Sequence, residues 1–410
     1  MRKAWALLWC SSLVAGDIGE LQRLADNSRF FELRRELEQP GWTPAETLFY
    51  RALVASRFGH ETQGILQLKA VLAANPAPAV ARMAREEIAR ALTRLGRYRE
   101  AAGAWSEALL LTPADDPERE GNQNTRALMS ALSEAPPVTA EFEEGALAKA
   151  VPNRLGSWDA PVQVNDTTGH WILDTGANIS TLTETEAGRM GLSVRETTAY
   201  VSGSTGKKNA LKLAVASDVR LGPAHIHNVV FLVLADQSLK IGPVRYQITG
   251  ILGLPELRAL SRVGISSDGI IRVYPHESLR ATTPNLFFEE ASLIAEVDHN
   301  QHHLQMLLDT GANDTALYPS FRKFLDAQEI SRLRTRRENV AGAGGAIHRS
   351  TEVIPVLRLE FSGKAIDLKK LSLLPVAPNA NRDTRDGVIG MDALRSGFRL
   401  DFDAMRLEVE

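Results

Sequence analysis

The chain writes one six-residue stretch twice. Leu173-Asp174-Thr175-Gly176-Ala177-Asn178 returns as Leu308-Asp309-Thr310-Gly311-Ala312-Asn313, 135 positions later. Each copy follows an apolar run, Trp171-Ile172-Leu173 or Met306-Leu307-Leu308. Runs of that kind read as buried strands. A buried strand should not end in an unpaired charge, because desolvating an ion is costly. Building so costly a feature twice implies that Asp174 and Asp309 are partners.

Aligning the two copies brings out further matches in the same order. A hairpin precedes each acid: Val162 to Val164, a turn from Asn165 to Gly169, then Trp171 to Leu173; and Leu293 to Val297, a turn from Asp298 to Gln301, then Leu304 to Leu308. A helix-like stretch follows, Glu184 to Gly191 and Ser320 to Gln328. Next comes a glycine-rich strand and turn, Tyr200 to Gly206 and Val340 to Ala346. Each copy closes on an apolar pair between glycines, Gly250-Ile251-Leu252-Gly253 and Gly387-Val388-Ile389-Gly390. From acid to last glycine the distances are 79 and 81 residues. Residues 150–276 and 277–410 therefore read as two homologous all-β lobes in tandem.

Asp-Thr-Gly-Ala, a glycine-rich turn and an apolar pair closed by Gly together resemble the retropepsin-like aspartic proteases, over about 260 residues. The doubled form resembles a bacterial-type retropepsin fused in tandem, a bilobed aspartic-protease domain with one acid from each lobe. The resemblance implies that Asp174 and Asp309 are catalytic. Thr175 and Thr310 would bond across the lobes, and Gly176 and Gly311 would aim backbone N–H groups at the carboxylates. Gly253 and Gly390 would pack beneath the acid loops. Flaps around Gly203 and around Gly342 and Gly344 would fold over an extended polypeptide. Tyr200 fits either a substrate-contacting flap aromatic or a packing residue of the hairpin.

The chemistry has a physical basis. Amide hydrolysis without a metal or a covalent nucleophile needs an activated water and a proton for the carbonyl oxygen. Two adjacent carboxyls supply both, since like charges that close cannot both ionise. Ala177 and Ala312 stand where pepsin-like motifs carry Ser, which removes one bond to the charged form and points to activity at higher pH than pepsin's. Where the second lobe has the acidic Asp314 the first has Ile179, an asymmetry that makes the cleft uneven or is surface drift. No cofactor is called for. The substrate would bind as an added strand.

The first third differs in texture. From Ile18 to Leu132 the pattern is helical, without β-branched runs. Gly59 to Pro76 and Gly96 to Pro113 share a spacing of 17, at a period of 37. The segment Leu95 to Leu109 resembles the second half of a tetratricopeptide (TPR) repeat, and Phe30 to Leu37 fits half of a further unit. Residues 17–134 are thus expected to form a TPR-like all-α domain, either docking a protein partner on a concave face or only packing. Ala135-Pro136-Pro137 breaks the pattern, so 135–149 reads as a linker. Before the helices, Met1-Arg2-Lys3 and a short apolar core resemble a secretory signal over residues 1–16, with Val14 and Gly16 as the small residues before a cut at Asp17. The alternative is a first helix. A signal implies a periplasmic or secreted protein, and a helix a cytoplasmic one.

Several function classes are disfavoured. The net charge of −3 predicts no nucleic-acid partner, and the apolar core near the N-terminus is too short to span a bilayer. The one cysteine, Cys10, forbids an internal disulfide or a Cys-based metal site. His225 with His227, and His299 with His302 and His303, lack the converging set a metal needs. Gly203 to Lys208 lacks the spacing of a phosphate loop. A monomeric endopeptidase is expected. The alternatives are a non-catalytic peptide-binding scaffold on a protease-like fold, and pairing of each lobe with its counterpart in a second chain.

Overall fold

The computed structural model describes residues 17–202, 208–242, 245–275, 283–342, 345–376 and 384–410. The expected signal and Cys10, Gly203 and Gly344, the Gly203–Gly206 turn and the 276/277 boundary lie outside them. An all-α N-terminal region is followed by two β-rich, barrel-like lobes. No helix among the described residues is long and apolar enough to cross a membrane.

Among the described residues of the N-terminal region seven helices run in order: α1 (Ile18–Asp26), α2 (Phe30–Leu37), α3 (Pro44–Arg57), α4 (Glu61–Ala73), α5 (Pro78–Arg94), α6 (Tyr98–Leu111) and α7 (Arg119–Ala131). Local chemistry sets their ends. Thr43 and Glu46 form a reciprocal capping box at the start of α3, with Pro44 in its first turn. Gly59 and Gly96 turn the chain between successive helices at φ +85° and +66°. Gly64 lets α4 approach α3 closely, since a Cβ there would sit 2.7 Å from Ser56 Cβ.

In each lobe the acid-bearing strand belongs to a hairpin with a two-residue turn. Trp158–Val164 pairs with Thr167–Leu173, and Ser292–His299 with His302–Leu308. The turn residues Asn165, Asp166, Asn300 and Gln301 all have positive φ, the backbone that matches the twist of paired strands. The apolar pairs between glycines then thread alongside. Gly250–Leu252 runs parallel to the first acid strand with Leu252 opposite Leu173. Gly387–Ile389 does the same with Ile389 opposite Leu308.

The stretch 135–149, read as a linker, contributes two strands. Thr139–Glu141 pairs with His225–His227 at the start of the strand Ala224–Leu234, and Gly145–Lys149 pairs with Ile270–Val273. The latter opens a five-stranded sheet built from both lobes, in which Arg262–Ser266 pairs with Gly397–Asp401. The lobes are thereby joined by backbone hydrogen bonds as well as by side chains.

The helical region is bound into this body. Phe287 of lobe 2, fully buried, meets the rings of Phe30, Phe31 and Phe58 at 5.4, 5.0 and 5.9 Å. Beside it lies a buried ion network. Glu87 pairs with Arg57 (2.9 Å) and Arg94 (2.8 Å), and Glu61 with Arg94 (3.3 Å) and Arg258 of lobe 1 (2.9 Å). The two cations beside Glu87 outweigh the cost of its burial and hold its carboxyl down at about 2.

Candidate active site

The two acid loops face each other at the junction of the lobes. Asp174 N–H donates to Leu252 O at 2.9 Å and Asp309 N–H to Ile389 O at 3.1 Å, so each loop leaves its strand against the threaded segment. Past the acids, Leu254 N–H bonds Ala177 O and Met391 N–H bonds Ala312 O, both at 2.9 Å. Gly253 and Gly390 lie beneath these loops. A Cβ on Gly253 would come within 2.6 Å of Ala177 O, and one on Gly390 within 2.5 Å of the Asp314 carbonyl carbon.

Thr175 and Thr310 interlock across the junction. Thr175 N–H donates to Thr310 Oγ1 at 3.0 Å, and Thr310 N–H to Thr175 Oγ1 at 3.1 Å. Each hydroxyl then donates onward, Thr175 to Leu308 O and Thr310 to Leu173 O, both at 2.7 Å. These four bonds fix the loops to one another where solvent hardly reaches, Thr175 being 0% and Thr310 2% exposed.

The carboxyls meet above this lattice. Gly176 N–H donates to Asp174 Oδ1 at 2.7 Å, while Gly311 and Ala312 N–H donate to Asp309 Oδ1 at 3.0 and 2.9 Å. Each glycine backs onto the opposite acid. A Cβ on Gly311 would lie 2.4 Å from Asp174 Oδ2, and one on Gly176 would lie 2.7 Å from Asp309 Cγ. Both aspartates keep some surface open. Protein nevertheless surrounds them. Desolvation raises both above the usual carboxylate range, and the neighbouring Asp309 charge helps push Asp174 to about 7.

Beneath each loop sits a hydroxyl–carboxyl pair that the motif alone did not disclose. Ser180 Oγ donates to Glu256 at 2.5 Å and accepts from Gly253 N–H at 2.8 Å. In lobe 2, Thr315 Oγ1 donates to Asp392 at 2.6 Å and accepts from Gly390 N–H at 3.1 Å. Burial drives both acids up, Glu256 to about 7. The signal was available: a hydroxyl residue six positions after each acid, and an acid two or three after each last glycine. A lobe-1 loop also reaches across, with Ser157 Oγ donating to Thr310 O at 3.1 Å.

Other sequence candidates fall elsewhere. Tyr200 lies on the edge strand Arg195–Ser202, where α7 holds it. Gly342 ends the strand Arg334–Gly342, opposite Gly345. His225 and His227 are taken up by Asp218, His303 by Asp298, and His299 is buried with Nδ1 2.9 Å from Arg358 O. Among the described residues no group of three or more His, Cys, Asp or Glu is placed to hold a metal ion.

With this geometry in place, a family model described as aspartyl protease matches residues 160–255 and 295–393, one match per lobe. Both lobes are thus similar to the aspartyl proteases. One similar solved structure is the crystal structure of a retropepsin-like aspartic protease from Rickettsia conorii, 22% identical, covering 34% of this chain and 96% of that one at a TM-score of 0.25. No curated protein matches.

Proposed function

We propose that the protein is an aspartic endopeptidase that cleaves extended polypeptide between Asp174 and Asp309. The observation that carries the reading is the mutual approach of the two acid loops, each glycine set against the other lobe's carboxylate. One carboxyl is charged and takes a proton from a water. The other is protonated and gives its proton to the scissile carbonyl oxygen as the water oxygen bonds to carbon. The tetrahedral diol then collapses. The newly protonated carboxyl gives its proton to the leaving nitrogen as the C–N bond breaks, the other carboxylate takes one from a diol hydroxyl, and the pair again holds one proton. Gly176, Gly311 and Ala312 hold the acids by backbone donors that no side-chain motion can withdraw. The glycine-rich hairpins of both lobes cover the substrate, which lies as an extra strand.

Around this core we place the finer assignments. The α3–α4 and α5–α6 pairs act as two degenerate TPR-like units, supported by their turn glycines and the close approach at Gly64. Their free faces offer a docking place for a protein partner, and a single chain carries the whole site. The chain works outside the cytoplasm, on the strength of its first sixteen residues.

The test is cleavage of an unfolded casein-like substrate by the full chain and by Asp174→Asn and Asp309→Asn. Loss of cleavage in both variants with folding intact supports the enzyme. Equal behaviour of wild type and both variants leaves the peptide-binding scaffold.

A further inference from the structure

The turn Asn153-Arg154-Leu155-Gly156-Ser157 joins Val151–Pro152 to the strand Trp158–Val164 in lobe 1. Asn, Gly and Ser are residues that hold a turn by their own bonds and backbone freedom. Asn153 N–H donates to Ser157 O at 2.9 Å. The Asn153 side chain closes the loop from within, its Oδ1 accepting from Leu155 N–H at 2.9 Å and from Ser157 N–H at 3.1 Å. Its Nδ2 donates to Asp159 Oδ1 at 2.8 Å, and Asp159 Oδ2 accepts from the Tyr246 hydroxyl at 2.5 Å. Gly156 turns the chain at φ +85°.

This turn is keyed into the other lobe. A Cβ on Gly156 would fall on Asn313 Oδ1, in the second acid loop. Ser157, only 3% exposed, donates from Oγ to Thr310 O at 3.1 Å. That carbonyl belongs to the peptide group between Thr310 and Gly311. The N–H of the same group is the one that donates to Asp309 Oδ1 at 3.0 Å. A trans peptide group is flat, so its C=O and N–H point opposite ways along one plane. Holding the oxygen therefore fixes where the N–H points. The first acid loop has no such hold. Its matching peptide group joins Thr175 to Gly176, whose N–H donates to Asp174 Oδ1, and among the described residues no side chain donates to Thr175 O.

We propose that Ser157 is a positioning residue for Asp309, a lobe-1 hydroxyl that sets the angle of a lobe-2 backbone donor. The kinetic half of the inference rests on the proteolytic reading above. A dipole fixed in advance needs no reorganisation while charge moves on the acid. Without the hydroxyl the Thr310–Gly311 plane is free to tilt, and the Asp309 carboxylate loses its alignment with Asp174. The effect falls on the chemical step, and so on kcat. Ser157 is buried and touches no substrate, so KM stays.

Two measurements on the full chain test this, with Ser157→Ala, which removes the hydroxyl, and Ser157→Thr, which keeps it. Ser157→Ala leaves every bond through Asn153 in place, so the turn still forms. The first measurement is amide hydrogen exchange without substrate. A neutral hydrogen bond is worth about fivefold in a local equilibrium, so exchange at Gly311 and Ala312 should quicken by about 5- to 10-fold in Ser157→Ala, with Gly176 within about twofold of wild type. Unchanged exchange at Gly311 and Ala312 overturns the proposal. So does equal quickening at Gly176, which would mean a general loosening of the lobes. The second is cleavage of an unfolded polypeptide, where kcat should fall about 5- to 10-fold in Ser157→Ala with KM within about twofold, and Ser157→Thr should recover most of the loss. A rise in KM at constant kcat overturns the proposal, as does Ser157→Thr behaving like Ser157→Ala. If wild type matches Asp174→Asn in cleaving nothing while exchange at Gly311 still quickens, the hold on the peptide group stands and it is the proteolytic reading that fails.

Discussion

Replacing Thr310 by Val tests whether the lobes are locked at the acid loops. The side chain is nearly the same shape, so packing is kept and only the hydroxyl goes. Two groups then lose their partners: Thr175 N–H, which donated to Oγ1 at 3.0 Å, and Leu173 O, which accepted from it at 2.7 Å. Both belong to the lattice between residues 0% and 2% exposed, where water replaces neither bond. A buried unsatisfied polar group costs about 1–3 kcal/mol, so the pair predicts a loss of about 2–6 kcal/mol. Thr310→Ser keeps both bonds and gives up one methyl, for about 1 kcal/mol. Urea unfolding monitored by tryptophan fluorescence, with equal m-values for the two variants, measures the difference. Cleavage should fall further than stability alone explains, because Thr310 also sets where Asp174 stands relative to Asp309. A Thr310→Val protein within about 0.5 kcal/mol of Thr310→Ser would refute the reasoning, since the hydroxyl bonds would then hold nothing that matters.

Three further outcomes follow from the same geometry. Asp174→Asn should abolish cleavage and also flatten the dependence of stability on pH. With its folded value raised to about 7, Asp174 binds a proton in the native state that the unfolded chain releases near pH 4, so its contribution is present at low pH and lost as pH rises through about 7; chemical denaturation at pH 4 and pH 8 should show wild type losing more than the variant. Gly311→Ala puts a methyl 2.4 Å from Asp174 Oδ2, and should cost at least about 100-fold in kcat/KM while thermal melting shows the lobes still folded. Glu87→Ala leaves Arg57 and Arg94 buried without their shared carboxylate, and should destabilise the chain by about 3–5 kcal/mol, read as a lower urea midpoint.

Much of the lobes was legible because it is local and written twice. The hairpins and the threaded apolar pairs follow from alternation, turn residues and spacing, while the roles of the acid-loop glycines are legible only through the resemblance that the doubled motif carries. Regions held by distant contacts were harder to see. Thr139–Glu141 is short and polar, and is a strand only because the start of Ala224–Leu234 is there to receive it. The stretch Ser320 to Gln328 reads as one helix, yet it splits into a 3₁₀ turn at Pro319–Phe324 and a short helix at Ala327–Arg332, which Asp326 and Glu329 restart with a capping box. His299 sits in a sequence that looks like an exposed turn, but its ring is buried against Phe321 at 5.4 Å. Phe30 and Phe31 look like core of a helical repeat. What they contact, Phe287, lies some 250 residues away and leaves no mark on local periodicity.

The duplication left two matching acid loops, and the surroundings have since diverged in a way that ties one loop to the helical region. The six-residue helix Leu254–Ala259 follows directly on Gly253. Glu256 on it holds Ser180, whose Oγ also receives Gly253 N–H beneath the first acid loop. Two residues on, Arg258 pairs with Glu61 of α4, which shares Arg94 with Glu87. The path from acid loop to helical region therefore runs through Asp174, Leu252, Gly253, Ser180, Glu256, Arg258 and Glu61. Arg258 also lies 4.8 Å over the ring of Phe288 in lobe 2, so one side chain touches all three parts of the molecule. A domain attached at such a point cannot be a loosely tethered arm that brings substrate from a distance. It is fixed to the segment that underlies the first acid loop.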